Sequence, residues 1–440
     1  MGLIAVGILG ISGIHYYLWR RLIHATTRPG RVRRLLTWIA VALSVLVILT
    51  LAGGRLLPWG AYRPLAWPGY VWLAVIFYLL VFLLILEIPR ALALSAARRA
   101  GRRAWADRPG LPRDALVPLT TTGSAGPGLV DPDEPPAEPR KTPDQSDISV
   151  SETPGTPVLA GVHRRLFISR TAALIAGAGA LATVGFGMRE ALGDPTVKRV
   201  RVTLSKLDPR MSGLRIAVVS DIHLGPLSGV GHTRRIVQMI NALRADVVTI
   251  VGDLVDGSVA ELGALARPLH DLESRYGAYF VTGNHEYYTP NGPAEWEAEL
   301  ASFGIRPLRN ERLQIRHAGG VLDLAGVNDL TGRSSGDGPD LRRALGGRDT
   351  SRPVVLLAHQ PIQVEQAAGY GVDLQLSGHT HGGQMMPFNL IVGLQQPVIA
   401  GLARVRGTQI YVTRGAGYWG PPVRVGAPPE IALVELRSGR

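Results

Sequence analysis

Hydrophobic and polar positions fall into two regimes along this 440-residue chain, and the change comes near residue 190. Before it, apolar residues run on almost unbroken in four stretches, 2–19, 35–53, 65–88 and 171–187. Uncharged runs of about 17–25 residues predict helices that span a bilayer. These runs lack the polar stripe that a helix on a water-soluble core carries. The first is the weakest, interrupted by Ser12 and His15, and the fourth is short and built of small residues. Trp67, Tyr70 and Trp72 stand where an interfacial aromatic belt is expected. Between the third and fourth runs, PDEPPAEPRKTPDQSDISVSETPGTP is rich in Pro, Ser, Thr and acids. It holds too few large apolar residues to offset ordering, so residues 104–162 read as a disordered linker.

From residue 198 the pattern shortens and alternates. LRIAVVS (214–220), DVVTIVG (246–252), YFVTG (279–283), VVLLAH (354–359) and DLQLSG (373–378) are short apolar runs, the first four carrying β-branched residues. Such runs predict strands, and segments 233–243 and 294–303 carry helical spacing. Strands at 409–413 and 431–436 come late and suggest a sheet edge or a second sheet. The fold class is α/β, with polar residues gathered just beyond strand ends, where parallel sheets build their sites.

Charge then separates the two halves. Of the net +13, residues 1–188 hold 20 Lys/Arg against 10 Asp/Glu, and residues 189–440 hold 27 against 24. The basic excess therefore belongs to the apolar half, where it sets membrane orientation. The second half is near neutral and lacks the basic footprint of a nucleic-acid binder, so nucleic acid is not expected as a partner. Arginines cluster at 20–34, 90–103 and 164–170, while the loop between the second and third runs has only Arg55 and Arg63. Positive-inside logic puts the clustered loops in the cytoplasm and everything after residue 187 outside it. The expected organisation is a membrane region with three spans (1–103), a cytoplasmic linker (104–162), a fourth span with its basic flank (163–190), and an extracytoplasmic domain (198–440). The expected location is the cell membrane, multi-pass, with membrane lipids as partners.

Two short patterns need weighing. HRRLFISR (163–170) fits a twin-arginine export signal and equally the basic flank of a membrane helix. GAGALA (177–182) has the spacing of a dinucleotide loop, but inside an apolar run with no preceding strand it reads as helix packing. The chain has no cysteine, which excludes disulfides, thiolate metal ligands and a cysteine nucleophile.

The candidate chemistry follows the strands. Asp221 and His223 come after the first, Asp253 after the second, and Asn284, His285 and Glu286 after the third. His359 follows the fourth, His379 and His381 the fifth. A lone histidine of this kind is usually structural; five strand ends that deliver imidazole, carboxylate and amide groups describe a metal centre. Carboxylate oxygens and imidazole nitrogens suit divalent Mn, Fe, Co or Zn. Two such ions about 3.5–4 Å apart can turn a shared water into hydroxide and clamp a phosphate for in-line attack.

The order DxH, GD, GNHE, H, GHTH resembles that of the calcineurin-like metallophosphoesterases, and no block is missing between about residues 198 and 436. The resemblance implies a β-sandwich flanked by helices, an α/β-β/α arrangement, behind an all-α multi-span membrane region. It implies that Asp221, His223 and His381 hold one divalent ion, that Asn284, His359 and His379 hold a second, and that Asp253 bridges them. His285 then stabilises the transition state or protonates the leaving oxygen, and Glu286, a position often Asp in the family, orients it. The spans, the arginine pair and the late TRGAGYWGPPVRVGAPPEI (413–431) are similar to the membrane-associated YkuE- and YaeI-like branch. In that setting Arg424 is either a contact for substrate phosphate or a surface arginine beside a loop. Asn328-Asp329 stands where relatives tend to carry a paired acid. The implied activity is hydrolysis of a phosphodiester or pyrophosphate by metal-hydroxide attack, on a lipid-linked or membrane-surface substrate. The alternative is a general phosphodiesterase or phosphomonoesterase acting on soluble wall or nucleotide fragments. A metal-binding scaffold without turnover is a third reading, and the filled ligand positions speak against it.

Overall fold

The computed structural model describes residues 2–106 and 157–439. Four long helices come first: α1 (Gly2–Leu18), α2 (Arg31–Leu56), α3 (Trp59–Ala106) and α4 (Pro157–Leu192). Among the described residues, three stretches are long and apolar enough to cross a membrane: Arg31–Gly54, Trp59–Ala96 and Leu166–Leu192. α1 has 17 residues and is shorter than these. The third run begins before Pro64 because that proline and Pro68 fall in the first three turns of α3, which continues through both. The linker expected over 104–162 is narrower at both ends, since 104–106 and 157–162 extend α3 and α4 as helix. The rest of that expectation lies outside the described residues. Arg164 and Arg165 belong to α4 itself, directly before its apolar span.

Small residues let these helices meet closely. Ala176, Ala180 and Val184, spaced by one turn along α4, join Val75, Leu79 and Leu83 of α3 in one buried cluster. Gly179, inside GAGALA, leaves room for the Phe82 ring, against which a Cβ would press. That is helix packing of the small-residue kind. An ion pair between Arg21 and Glu87 ties the turn after α1 to α3.

α4 leads into twelve strands: β1 (Thr196–Leu204), β2 (Arg215–Val219), β3 (Val247–Val251), β4 (Ala278–Val281), β5 (Ile305–Pro307), β6 (Glu311–His317), β7 (Gly320–Gly326), β8 (Val354–Leu357), β9 (Leu374–Ser377), β10 (Gly401–Val405), β11 (Thr408–Val412) and β12 (Glu430–Ser438). They form two six-stranded sheets, ordered β1-β12-β2-β3-β4-β5 and β10-β11-β9-β8-β7-β6. Period-two alternation makes each strand serve two layers. Ile216 and Val218 of β2 face the other sheet, where they share a core with Leu322, Leu357 and Leu376. Ala217 and Val219 face outward, toward α5 (Val230–Ala242), α6 (Val259–Ala266) and α7 (Pro293–Ser302), whose Ile236, Leu262 and Trp296 complete that layer. Leu341, Ala344 and Ala367 cover the far face of the second sheet. The result is a four-layer α/β-β/α sandwich. Of the late strands, β11 lies in the second sheet as expected. β12 is no edge: it sits between β1 and β2, parallel to the first and antiparallel to the second.

Strands β2, β3 and β4 are parallel neighbours, as are β8 and β9. Their carboxyl ends therefore open toward one rim, and the loops that leave them carry the candidate chemistry.

Candidate metal centre

The backbone turns sharply as it leaves these strands. Asp221, His223, Asp253, His379 and His381 all have positive φ, between 48° and 72°. A residue with a Cβ pays roughly 1–3 kcal/mol to sit there, and such strain collects at functional sites. Neighbouring main chain holds the turns in place. Ala416 N donates to Ser220 O and Gly417 N to Asp221 O, each at 2.9 Å. A Cβ on Gly417 would strike the Ile222 carbonyl, and one on Gly378 would strike Ser220 and the Asp221 carboxylate. These close approaches explain the glycines in GAGYWG and in SGHTH.

Three groups of donors result. Asp221, His223 and His381 place one ligand atom each within 4.8 Å of one another, as do Asp253, His359 and His379. In the first group His223 Nε2 lies 3.0 Å from His381 Nε2, and His381 Nε2 lies 3.3 Å from Asp221 Oδ1. In the second, Asp253 Oδ2 lies 3.2 Å from His359 Nε2. The same oxygen is 3.8 Å from His223 Nε2, so Asp253 stands between the two groups. Asn284 joins the second group through Oδ1, 2.9 Å from His379 Nδ1. The structure thus brings together all seven residues expected to hold metal. His285 stands beside them, its ring packed edge-on against His223 with centroids 4.6 Å apart.

The donor set fits divalent ions. His359 gives Nδ1–H to Val251 O at 2.8 Å, so Nε2, buried and outside any well-formed hydrogen bond, is the atom turned toward Asp253 in the centre. A second-sphere carbonyl that fixes the tautomer in this way is typical of a metal-ligating histidine. Burial alone would raise the Asp253 carboxyl, but His359 and His285 beside it hold it well below the usual range. Burial, with His359 nearby, pulls His379 down to about 3, so its ring is neutral and free to donate electrons at neutral pH. Burial also acts to neutralise His285; Asp253 and Asp256 outweigh it and raise the pKa to about 9.

Sequence reasoning missed Asp256 and misplaced two other residues. Asp256 Oδ1 lies 2.8 Å from His223 Nδ1 and 2.7 Å from His285 Nδ1, forming the third group. Its signal was slight: one more acid, three residues after Asp253. Glu286 does not orient His285 directly. Its fully buried carboxylate accepts the main-chain N–H of Asp253, Leu254 and Gly283, pinning the turns on both sides. Arg424 is neither a phosphate contact nor a surface residue. It is 1% exposed, and its guanidinium donates to the carbonyls of His381, Arg414, Gly417 and Ala427. Asn328 and Asp329 also serve the scaffold, bonding Asp337 and Gln360.

Known proteins share this arrangement. A family model described as "Calcineurin-like phosphoesterase" matches residues 214–383. The "Transmembrane protein with metallophosphoesterase domain" of Danio rerio is 41% identical over 262 residues, 58% of this chain and 60% of that protein. A metallophosphoesterase of Helicobacter pylori is 41% identical over 262 residues, 58% of this chain and 68% of that protein. The metallophosphoesterase YkuE of Bacillus subtilis is 28% identical over 292 residues, 63% of this chain and 98% of that protein. The match spans about 60% of the fish relative's length. A four-layer sandwich with a histidine–carboxylate rim defines a domain of the metallophosphoesterase class. With this identity over two thirds of the Helicobacter protein, the chain belongs to the calcineurin-like phosphoesterase family.

Proposed function

We propose that this chain is a membrane-anchored phosphoesterase with two divalent ions, which hydrolyses a phosphodiester or pyrophosphate bond in a lipid-linked or membrane-surface substrate. One observation carries the reading: a cavity of about 410 Å³ is lined both by His223, Asp256 and His285 and by Leu51, Gly54, Tyr62 and Tyr70 of α2 and α3. Tyr70 lies 11 residues beyond the start of α3, about 16 Å along the helix axis. The cavity thus joins the donor rim to the first three turns of α3, the level of the aromatic belt of Trp67, Tyr70 and Trp72. An amphiphile can fill both ends, with its phosphate at the rim and its apolar part beside α2.

Asp221, His223 and His381 would hold one ion, Asn284, His359 and His379 the other, and Asp253 both. Bound there, divalent ions supply Lewis acidity toward phosphoryl oxygens and a nucleophile at neutral pH. His285, its Nδ1 committed to Asp256, keeps a proton on Nε2 and passes it to the leaving oxygen. The rings of Tyr288 and Trp419, 5.3 and 6.2 Å from that of His285, line this side of the cavity. The α2–α3 turn, flanked only by Arg55 of α2 and Arg63 of α3, lies on the catalytic side of the helices. An arginine-poor end beside the catalytic rim supports an extracytoplasmic domain.

The test compares a detergent-dispersed lipid phosphoester with a soluble chromogenic phosphodiester, using the full chain. Asp253→Asn should lose metal and turnover, whereas His285→Ala should keep metal and lose about 10²–10⁴-fold in kcat. Wild-type turnover in both variants sinks the site assignment. Equal kcat/KM for both substrates sinks only the membrane substrate.

A further inference from the structure

From the last candidate metal-site histidine to within β10, residues 382–403 carry no ionisable side chain. Within them, Met386, Phe388, Leu390, Ile391 and Leu394 are exposed, Leu390 by 70% and Leu394 by 84%. Five large apolar side chains exposed within nine residues mark an interaction surface, where single exposed ones do not. We propose that residues 386–394 are a membrane-inserting loop, which enters the lipid interface beside the outer end of α4.

Its position names the occupant. Met386 N donates to Val425 O at 3.0 Å, and Met385 and Val425 pack against the buried cluster formed by α3 and α4. The adjoining Arg424 N donates to Gly187 O at 2.9 Å, five residues before the apolar span ends at Leu192. The loop therefore leaves the domain at the level where α4 leaves its span. On α4 itself Phe186 and Leu181 are likewise exposed. Gln384 completes the surface: it donates from Nε2 to Trp419 O and accepts from Trp419 N, both at 2.9 Å. That bond pair holds a half-exposed tryptophan next to the loop, and tryptophan favours the headgroup level. An apolar element of this kind sinks about 5–10 Å into the boundary between headgroups and acyl chains.

The inference rests on α4 crossing the membrane, and one experiment reads the two separately. Because the chain has no cysteine, single Leu394→Cys, Leu390→Cys, Leu181→Cys and Thr350→Cys variants each accept one environment-sensitive fluorophore. The full chain is reconstituted in vesicles containing lipids with a quencher at shallow acyl depth. Labels at 394, 390 and 181 should lose most of their emission, and the label at 350, which precedes β8 at the opposite end of the strands, should not. If 181 is quenched while 390 and 394 behave like 350, the loop stays in water and the proposal falls, with the span intact. If 181 is also unquenched, spanning and insertion fall together. A loop label that is shielded by raising the protein-to-lipid ratio, yet insensitive to lipid quenchers, assigns the surface to a second copy of the chain and overturns insertion.

Discussion

Five of the seven candidate ligands occupy left-handed backbone, a region that residues with a Cβ seldom enter. Each turn is stitched to its neighbour: Asp221 N bonds Gly252 O at 3.1 Å and His223 N bonds Asp253 O at 3.2 Å. The ligands are thus oriented by main chain before any ion arrives. Asp256 adds the side-chain half of this organisation, holding His223 and His285 by their Nδ1 atoms. Asp256→Asn should keep metal content close to wild type and lower kcat about 10–100-fold. Full activity would show that neither ring needs the carboxylate. At this scale the sequence was readable wherever two or more chemical residues stood together after an apolar run, as in Asp221-Ile-His223 and His379-Thr-His381. It misled where a single residue had to be placed. Nothing local distinguishes an arginine that faces phosphate from Arg424, whose guanidinium lies under five carbonyls and the His381 ring.

Among the elements, strands buried on both faces announced themselves and strands with one wet face did not. β2, β3 and β8 read as nearly continuous apolar runs because one face meets helices and the other meets the opposite sheet. β1 alternates buried Val202 and Leu204 with exposed Lys198, Arg199 and Arg201, and β6 exposes Gln314 and Arg316; their charge hid them. Placement of β12 between β1 and β2 depends on pairing across more than two hundred residues, which no local pattern encodes. α4 is the element that couples the two halves. A Cβ on Gly187 would press into Val423 and Val425, next to the main-chain bond from Arg424. Gly187→Leu should destabilise the chain by about 1–3 kcal/mol through overpacking. It should also reduce metal content, because Arg424 braces the His381 loop. Unchanged thermal midpoint and metal content would show that α4 and the rim are independent.

For the molecule as a whole, ions held at the candidate centre would also stabilise the fold. Asp221 and Asp253 are fully buried beside one another, and burial favours the neutral form of Asp221. Ions that bind the folded chain and not the unfolded one relieve this arrangement. Saturation at about a hundred times Kd contributes close to 3 kcal/mol, so removing metal with a chelator should lower Tm by roughly 5–10 °C. Differential scanning calorimetry with and without restored Mn or Zn reads the change directly. An identical Tm with metal and chelator would mean that the donors are satisfied without ions.

The cavity shared by α2, α3 and the rim has a further consequence, one of altitude. Helices embedded in a bilayer cannot rise or sink freely, and the rim is fixed to them through Arg424 and Gly187. For a chain anchored in this way, the reacting centre sits at a set height above the acyl chains. For the lipid-linked substrate proposed above, selectivity would then act as a ruler: a bond would be cut where its headgroup holds it at that height. Substrates of equal chemistry and unequal reach would be told apart by length alone.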